Sequence, residues 1–198
     1  MNEIHTRFRG MLLSTKREGM ENVIERLEEI GFFKAPASTK FHLNYEGGLL
    51  EHSMNVCDMA LELRDLMSKK KDGLHDALPK ESVIIAALLH DVCKADVYKP
   101  AIKRQKNEYG VWCDMPGYDV DYSNFPLGHG EKSVIWLLHN GLKLTTDEIM
   151  AIRWHMTAWD LPFQSPEMKG NLNAARNRCP LMALIQAADG LAAHLLER

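Results

Sequence analysis

Apolar residues recur at spacings of three and four along most of the chain, the period of helices that bury one face. Over residues 19–30 the stripe is Val23, Ile24, Leu27 and Ile30, and Gly31 follows as a stop signal. Residues 32–45, with Pro36 and small polar side chains, read as a loop. A long helix is predicted over about 48–67, with Leu49, His52, Val56, Met59, Leu63 and Leu66 on one face. It gives way to an exposed loop over 69–73. Pro79 marks the start of the next helix, which continues over 82–92 with Val83, Ile84, Ala87 and Leu88 inward. Three more helices are predicted over about 129–140, 146–158 and 180–197, the middle one capped by Thr145 or Thr146. The helical period fails over 99–124. There, residues 102–106 and 111–114 flank Asn107-Glu108-Tyr109-Gly110, the pattern of a β-hairpin. The expected fold class is therefore all-α, a helical bundle with a small β-hairpin insertion.

Composition narrows the setting. A chain of 198 residues suits a single domain spanning 1–198. With 45% apolar and 26% charged residues it fits a globular protein, and it has no apolar run of the roughly 20 residues that span a bilayer. The start, MNEIHTRFRG, lacks the apolar stretch of a secretory signal. A net charge of −3 supplies no global field for nucleic acid or membrane. Cys57, Cys93, Cys113 and Cys179 form no CxxC pair, which argues against a zinc ribbon or a disulfide scaffold and predicts a cytoplasmic setting.

The histidines carry more. His52 lies within the apolar stripe of the long helix. Ile84, Ala87 and Leu88 lead to His90 and Asp91 one turn on, and Ala151 and Ile152 precede His155 by one turn. In the last helix Leu181, Ile185, Asp189, Ala192 and Leu196 form a stripe with an aspartate at its centre and no lysine or arginine on that face. A lone inward histidine is usually a hydrogen-bonded core residue. A buried carboxylate, however, costs several kcal/mol unless paired or bound to a cation. A shared divalent metal partners all these groups at once, and imidazole with carboxylate suits Mn²⁺, Fe²⁺, Ni²⁺ or Zn²⁺, with Mg²⁺ also possible.

In GGLLEHS, ALLHDVCK and AADGLA, the order His52, His90-Asp91, Asp189 resembles the H…HD…D signature of the HD-domain superfamily of metal-dependent phosphohydrolases. His129 in PLGHGEKS and His155 in IRWHMTAWD extend it to the H…HD…H…H…D pattern of two-metal members. The resemblance covers residues 41–195, leaving 1–40 as an N-terminal helical extension, and looks closest to the HD domain of bacterial 3′→5′ exoribonucleases. The chain leaves no room for the nucleic-acid-binding OB-fold that precedes the domain in those enzymes. The resemblance implies that His52, His90 and Asp189 hold one metal and His129 and His155 a second, with Asp91 bridging. Two cations roughly 3.5–4 Å apart can activate a water and clamp a phosphoryl group for in-line attack.

The expected activity is that of a phosphohydrolase or phosphodiesterase acting on a nucleotide or short oligonucleotide. Lys94 stands three residues after Asp91, where related phosphodiesterases place a phosphate-contacting lysine; a helix-end charge is the plain alternative. Five basic residues over 94–106, Lys99 and Arg104 among them, suggest a phosphate-binding edge with Tyr98, Tyr109 and Trp112 for stacking, or an ordinary salt-bridged hairpin. Arg153, Trp154 and Trp159 are further candidates for the substrate wall, and His42 for a residue behind the ligands. Two rival readings stay open: a di-iron oxygenase with the same ligand set, and a non-catalytic nucleotide sensor.

Overall fold

The computed structural model describes residues 3–106, 108–157 and 165–197. In chain order these form α1 (Glu3–Ser14), α2 (Met20–Glu29), a 3-10 turn (Phe32–Lys34), α3 (Gly48–Ser68), α4 (Leu74–Ala77), α5 (Lys80–Leu89) and α6 (Lys94–Val97). The hairpin strands β1 (Tyr98–Lys106) and β2 (Trp112–Val120) come next, then α7 (His129–His139), α8 (Thr146–Trp154), α9 (Pro166–Arg178), α10 (Pro180–Leu191) and a π turn (Ala192–Leu196). The fold is an all-α bundle with a two-stranded antiparallel hairpin. Helix α3 packs on α5 and α10, α10 on α8, and α8 on α7, so the elements bearing the inward histidines and aspartates are neighbours. Phe8 and Leu12 of α1 and Val23, Ile24 and Leu27 of α2 belong to the same hydrophobic cluster as Leu49, Ile85, Leu88, Ile152 and Ile185.

The predicted stripe of α3 holds for its first half. Leu49, His52 and Val56 are buried, but Leu66 is 51% exposed, and Ala60 and Arg64 take the inner face toward the C-terminus. A repeat averaging nearer 3.5 than 3.6 residues drifts around a straight helix, so the stripe rotates out of the core. Arg64 is accommodated by donating from Nε to the Leu78 carbonyl at 2.6 Å. Helix α5 stops at Leu89, three residues short of its predicted end, and the chain turns through His90 to Cys93 before α6. The hairpin strands are nine residues each, longer than predicted, and pair from Tyr98↔Val120 to Lys106↔Trp112. Helix α9 escaped the periodic reading because it buries little beyond Leu172 and Ala175; Ser165 caps it, and Pro166 stands in its first turn. No single helix among the described residues is long and apolar enough to cross a membrane.

Two local devices fix α8, which ends at the site. Thr145 and Glu148 form a capping box, each side chain bonded to the other's backbone N–H. Glu148 is wholly buried and also accepts both Arg17 nitrogens, at 2.6 and 2.7 Å, and the Ser82 hydroxyl at 2.7 Å. At the crossing with α7, Gly130 lets the backbones touch: a Cβ there would lie 2.2 Å from the Arg153 carbonyl oxygen. Gly130→Ala is accordingly expected to destabilise the fold by about 1–3 kcal/mol, as other overpacked sites do. Urea unfolding measures this, and an unchanged midpoint would show that the helices separate freely.

Candidate metal centre

Five segments converge on one buried carboxylate. His52 comes from α3, His90 and Asp91 from the turn ending α5, His129 from the first position of α7, His155 from the residue ending α8, and Asp189 from α10. Asp91 is 2% exposed. Its Oδ1 lies 2.5 Å from His129 Nε2 and 3.3 Å from His155 Nε2. Its Oδ2 lies 3.4 Å from His52 Nε2, 3.2 Å from His90 Nε2 and 2.5 Å from Lys94 Nζ. Asp189 Oδ1 is 3.3 Å from His52 Nε2. The structure thus brings together all six residues singled out in the sequence as metal ligands.

The far sides of the rings fix what the near sides can do. His90 Nδ1 donates to the Ala87 carbonyl at 2.8 Å and His155 Nδ1 to the Ile152 carbonyl at 2.7 Å. His52 Nδ1 donates to Glu197, 3.0 and 3.1 Å from its two oxygens. His129 Nδ1 meets Cys93 Sγ at 3.4 Å. Carbonyls and carboxylates only accept, so the proton of a neutral ring must sit on Nδ1, leaving the Nε2 lone pair facing inward. Nε2 of His52, His90 and His155 is buried with no hydrogen-bond partner. Three inward lone pairs around two carboxylates suit a divalent cation, because a buried polar atom left unpaired is otherwise costly. The sets His52/His90/Asp91, His90/His155/Asp189 and Asp91/His129/His155 each place ligand atoms within 4.8 Å of one another and could hold a metal ion.

Proton affinities follow the same charges. Burial would lower His52, but Asp189, Asp91 and Glu197 outweigh it and push it up to about 10. His129 is raised well above the ordinary value against its burial, by Cys93 and Asp91. His155 is lowered, chiefly by burial. Burial opposes the charge on Asp91, yet Lys94, His90 and His129 hold its carboxyl well below the usual range. The carboxylates therefore demand positive charge from their surroundings. Protons on His52 and His129 and the Lys94 ammonium meet that demand within the chain, and a divalent cation would meet it equally.

Asp91, His129, His155 and Asp189 line a cavity of about 1050 Å³, walled also by Ser38, Phe41, Lys94, Tyr98, Tyr122 and Gln186. Lys94, 8% exposed, is part of the cavity wall and no solvated helix end. Lys99, Arg104 and Arg153 are not on that wall. Lys99 points its ammonium to Asp96 at 3.6 Å. Arg104 is exposed on β1 opposite Asp114 in register, while cross-strand partners engage its neighbours: Lys103 pairs with Asp119, and Lys106 lies over the Trp112 ring. Arg153 binds Glu131 at 2.8 Å and stacks on Trp154. Trp159 lies outside the described residues. Of the proposed stacking aromatics, Tyr98 lines the cavity, whereas Tyr109 and Trp112 are exposed on the hairpin. His42 lines the cavity beside His52, with ring centroids 5.1 Å apart, and burial lowers it to about 4.

Periodicity missed Glu197. It pointed to Leu196, seven residues past Asp189. The π turn over Ala192–Leu196 takes up extra chain, leaving Leu196 56% exposed and Glu197 inside.

Fold and site together define a helical bundle whose buried histidine and aspartate clusters could bind metal ions. No family model matches the chain, and no solved structure matches it. Among curated proteins, it is similar to the dihydroneopterin 2',3'-cyclic phosphate phosphodiesterase of Methanocaldococcus jannaschii, 39% identical over 61 residues. The match covers 31% of this chain and 23% of that protein, so the chain spans less than a quarter of its relative's length.

Proposed function

We propose that this chain is a metal-dependent phosphodiesterase of the HD-domain kind. Its substrate would be a small phosphoester such as a nucleotide, a short oligonucleotide or a ring-bearing cyclic phosphate. The observation that carries this reading is the set of imidazole Nε2 atoms turned on both oxygens of Asp91 at the floor of the cavity. In this reading His52, His90 and Asp189 hold one ion, His129 and His155 a second, and Asp91 spans them. Divalent ions so held would supply Lewis acidity to the phosphoryl group and an activated water. The partial likeness to a cyclic phosphate phosphodiesterase supports phosphoester hydrolysis over oxygen chemistry.

The chain's own residues orient the substrate. Lys94, on the cavity wall beside Asp91, offers an ammonium to a non-bridging phosphoryl oxygen. Phe41, Tyr98 and Tyr122 offer flat apolar surface to a base or comparable ring, and Ser38 and Gln186 offer hydrogen bonds at its edge. A panel of nucleoside 2',3'-cyclic phosphates, nucleotides and short oligonucleotides, assayed with Mn²⁺, Fe²⁺, Ni²⁺, Zn²⁺ and Mg²⁺ before and after chelation, tests the proposal. Turnover lost on chelation and restored by a metal is expected. Dioxygen consumption by an iron-loaded protein, or tight nucleotide binding without turnover, would replace it with one of the rival readings. Lys94→Ala is expected to lower kcat/KM by roughly 10- to 100-fold, the worth of one hydrogen bond to a charged group. An unchanged value at equal metal content would reduce Lys94 to a partner of Asp91.

A further inference from the structure

We infer that Glu197 is a positioning residue for the metal centre, fixing His52 so that its Nε2 lone pair faces Asp91 and Asp189. The inference rests on reading the buried cluster as a metal centre. In the described contacts of the four imidazoles, His52 has a carboxylate behind it, whereas His90 and His155 lean on backbone carbonyls and His129 meets a cysteine sulfur. A backbone carbonyl fixes a ring's tautomer, and a carboxylate also makes the ring a more basic ligand. The position held by His52 should therefore bind its ion more tightly than the one held by His129 and His155.

Glu197 is built for this contact. Its side chain is 1% exposed and is held by Asn55 Nδ2 at 3.1 Å as well as by His52. His42 Nε2 stands 3.9 Å away. Burying a carboxylate is costly, and an ordinary α-helical continuation of α10 would have turned Leu196 inward instead. The π turn that brings Glu197 inside thus exchanges an apolar contact for an anion directly behind one ring.

Isothermal titration of Mn²⁺ and Zn²⁺ into the metal-stripped full chain tests the inference, using Glu197→Gln and Glu197→Ala. Glu197→Gln keeps the shape and one acceptor oxygen, so it folds if anything does; thermal melting provides the control. The affinity of the tighter ion should fall by roughly 10- to 100-fold in Glu197→Ala and by less in Glu197→Gln, with the weaker ion unaffected. Nitrogen NMR of His52 should show the Nδ1–H form in the unaltered metal-loaded protein and a mixture of tautomers in Glu197→Ala. Unchanged affinities in both variants overturn the role of Glu197 and leave the metal centre standing. An unaltered protein that binds neither ion overturns both.

Discussion

Asp91→Asn is expected to lower metal-dependent phosphoester hydrolysis at least about a thousandfold, some 4 kcal/mol of transition-state stabilisation, with helical content retained. The size of the effect follows from the use of both carboxylate oxygens. Oδ1 serves His129 and His155, while Oδ2 serves His52, His90 and Lys94. An amide keeps the volume but replaces one oxygen by a donor and removes the charge, so one group of imidazoles loses its anion whichever way the amide turns. Lys94 also loses its partner, and the variant should be compared well below its melting point. Measurement of kcat/KM, bound metal and far-UV circular dichroism settles the matter. Activity within tenfold of the parent would remove Asp91 from the bridging position.

Glu148→Ala is expected to produce the largest loss of stability, about 3–5 kcal/mol, from a site that touches no substrate. Four donors converge on this carboxylate: two nitrogens of Arg17, the Ser82 hydroxyl and the Thr145 backbone N–H. Removing it leaves a partly buried guanidinium without its counter-charge, held by the Lys143 carbonyl, and opens the capping box that starts α8. The melting temperature should drop by roughly 10 °C at this chain length. A drop under about 2 °C would mean that Arg17 finds water without cost. Because α8 delivers His155, metal affinity should weaken alongside stability.

The inward cluster of histidines and aspartates was legible because burial of a charged or ionisable group in an apolar stripe is costly enough to demand a reason. His52 and Asp189 stand within such stripes, and His90-Asp91 follows one directly. The helices were legible where one face is strongly apolar, as in α2, or where nearly every position is, as in α5, and illegible where neither holds, as in α9. Substrate contacts were harder. Lys99, Arg104 and Arg153 look like phosphate binders by type, but Arg153 is engaged by Glu131 and Arg104 is carried outward on the hairpin by tertiary packing, to which a one-dimensional pattern is blind. Glu197 was hidden by the register change at the π turn.

The way α5 and α8 end has an electrostatic consequence. His90 and His155 directly follow the last residues of these helices, and each ring binds a carbonyl of the helix's last turn. The negative ends of two helix dipoles, each worth roughly half a charge, therefore lie beside the rings that meet Asp91. Together with the carboxylates of Asp91 and Asp189 they disfavour an anion at the cavity floor, and divalent cations held there would reverse the sign that a phosphate meets. In the proposed enzyme, cation binding would therefore favour anion binding, with the backbone dipoles adding to the side-chain charges.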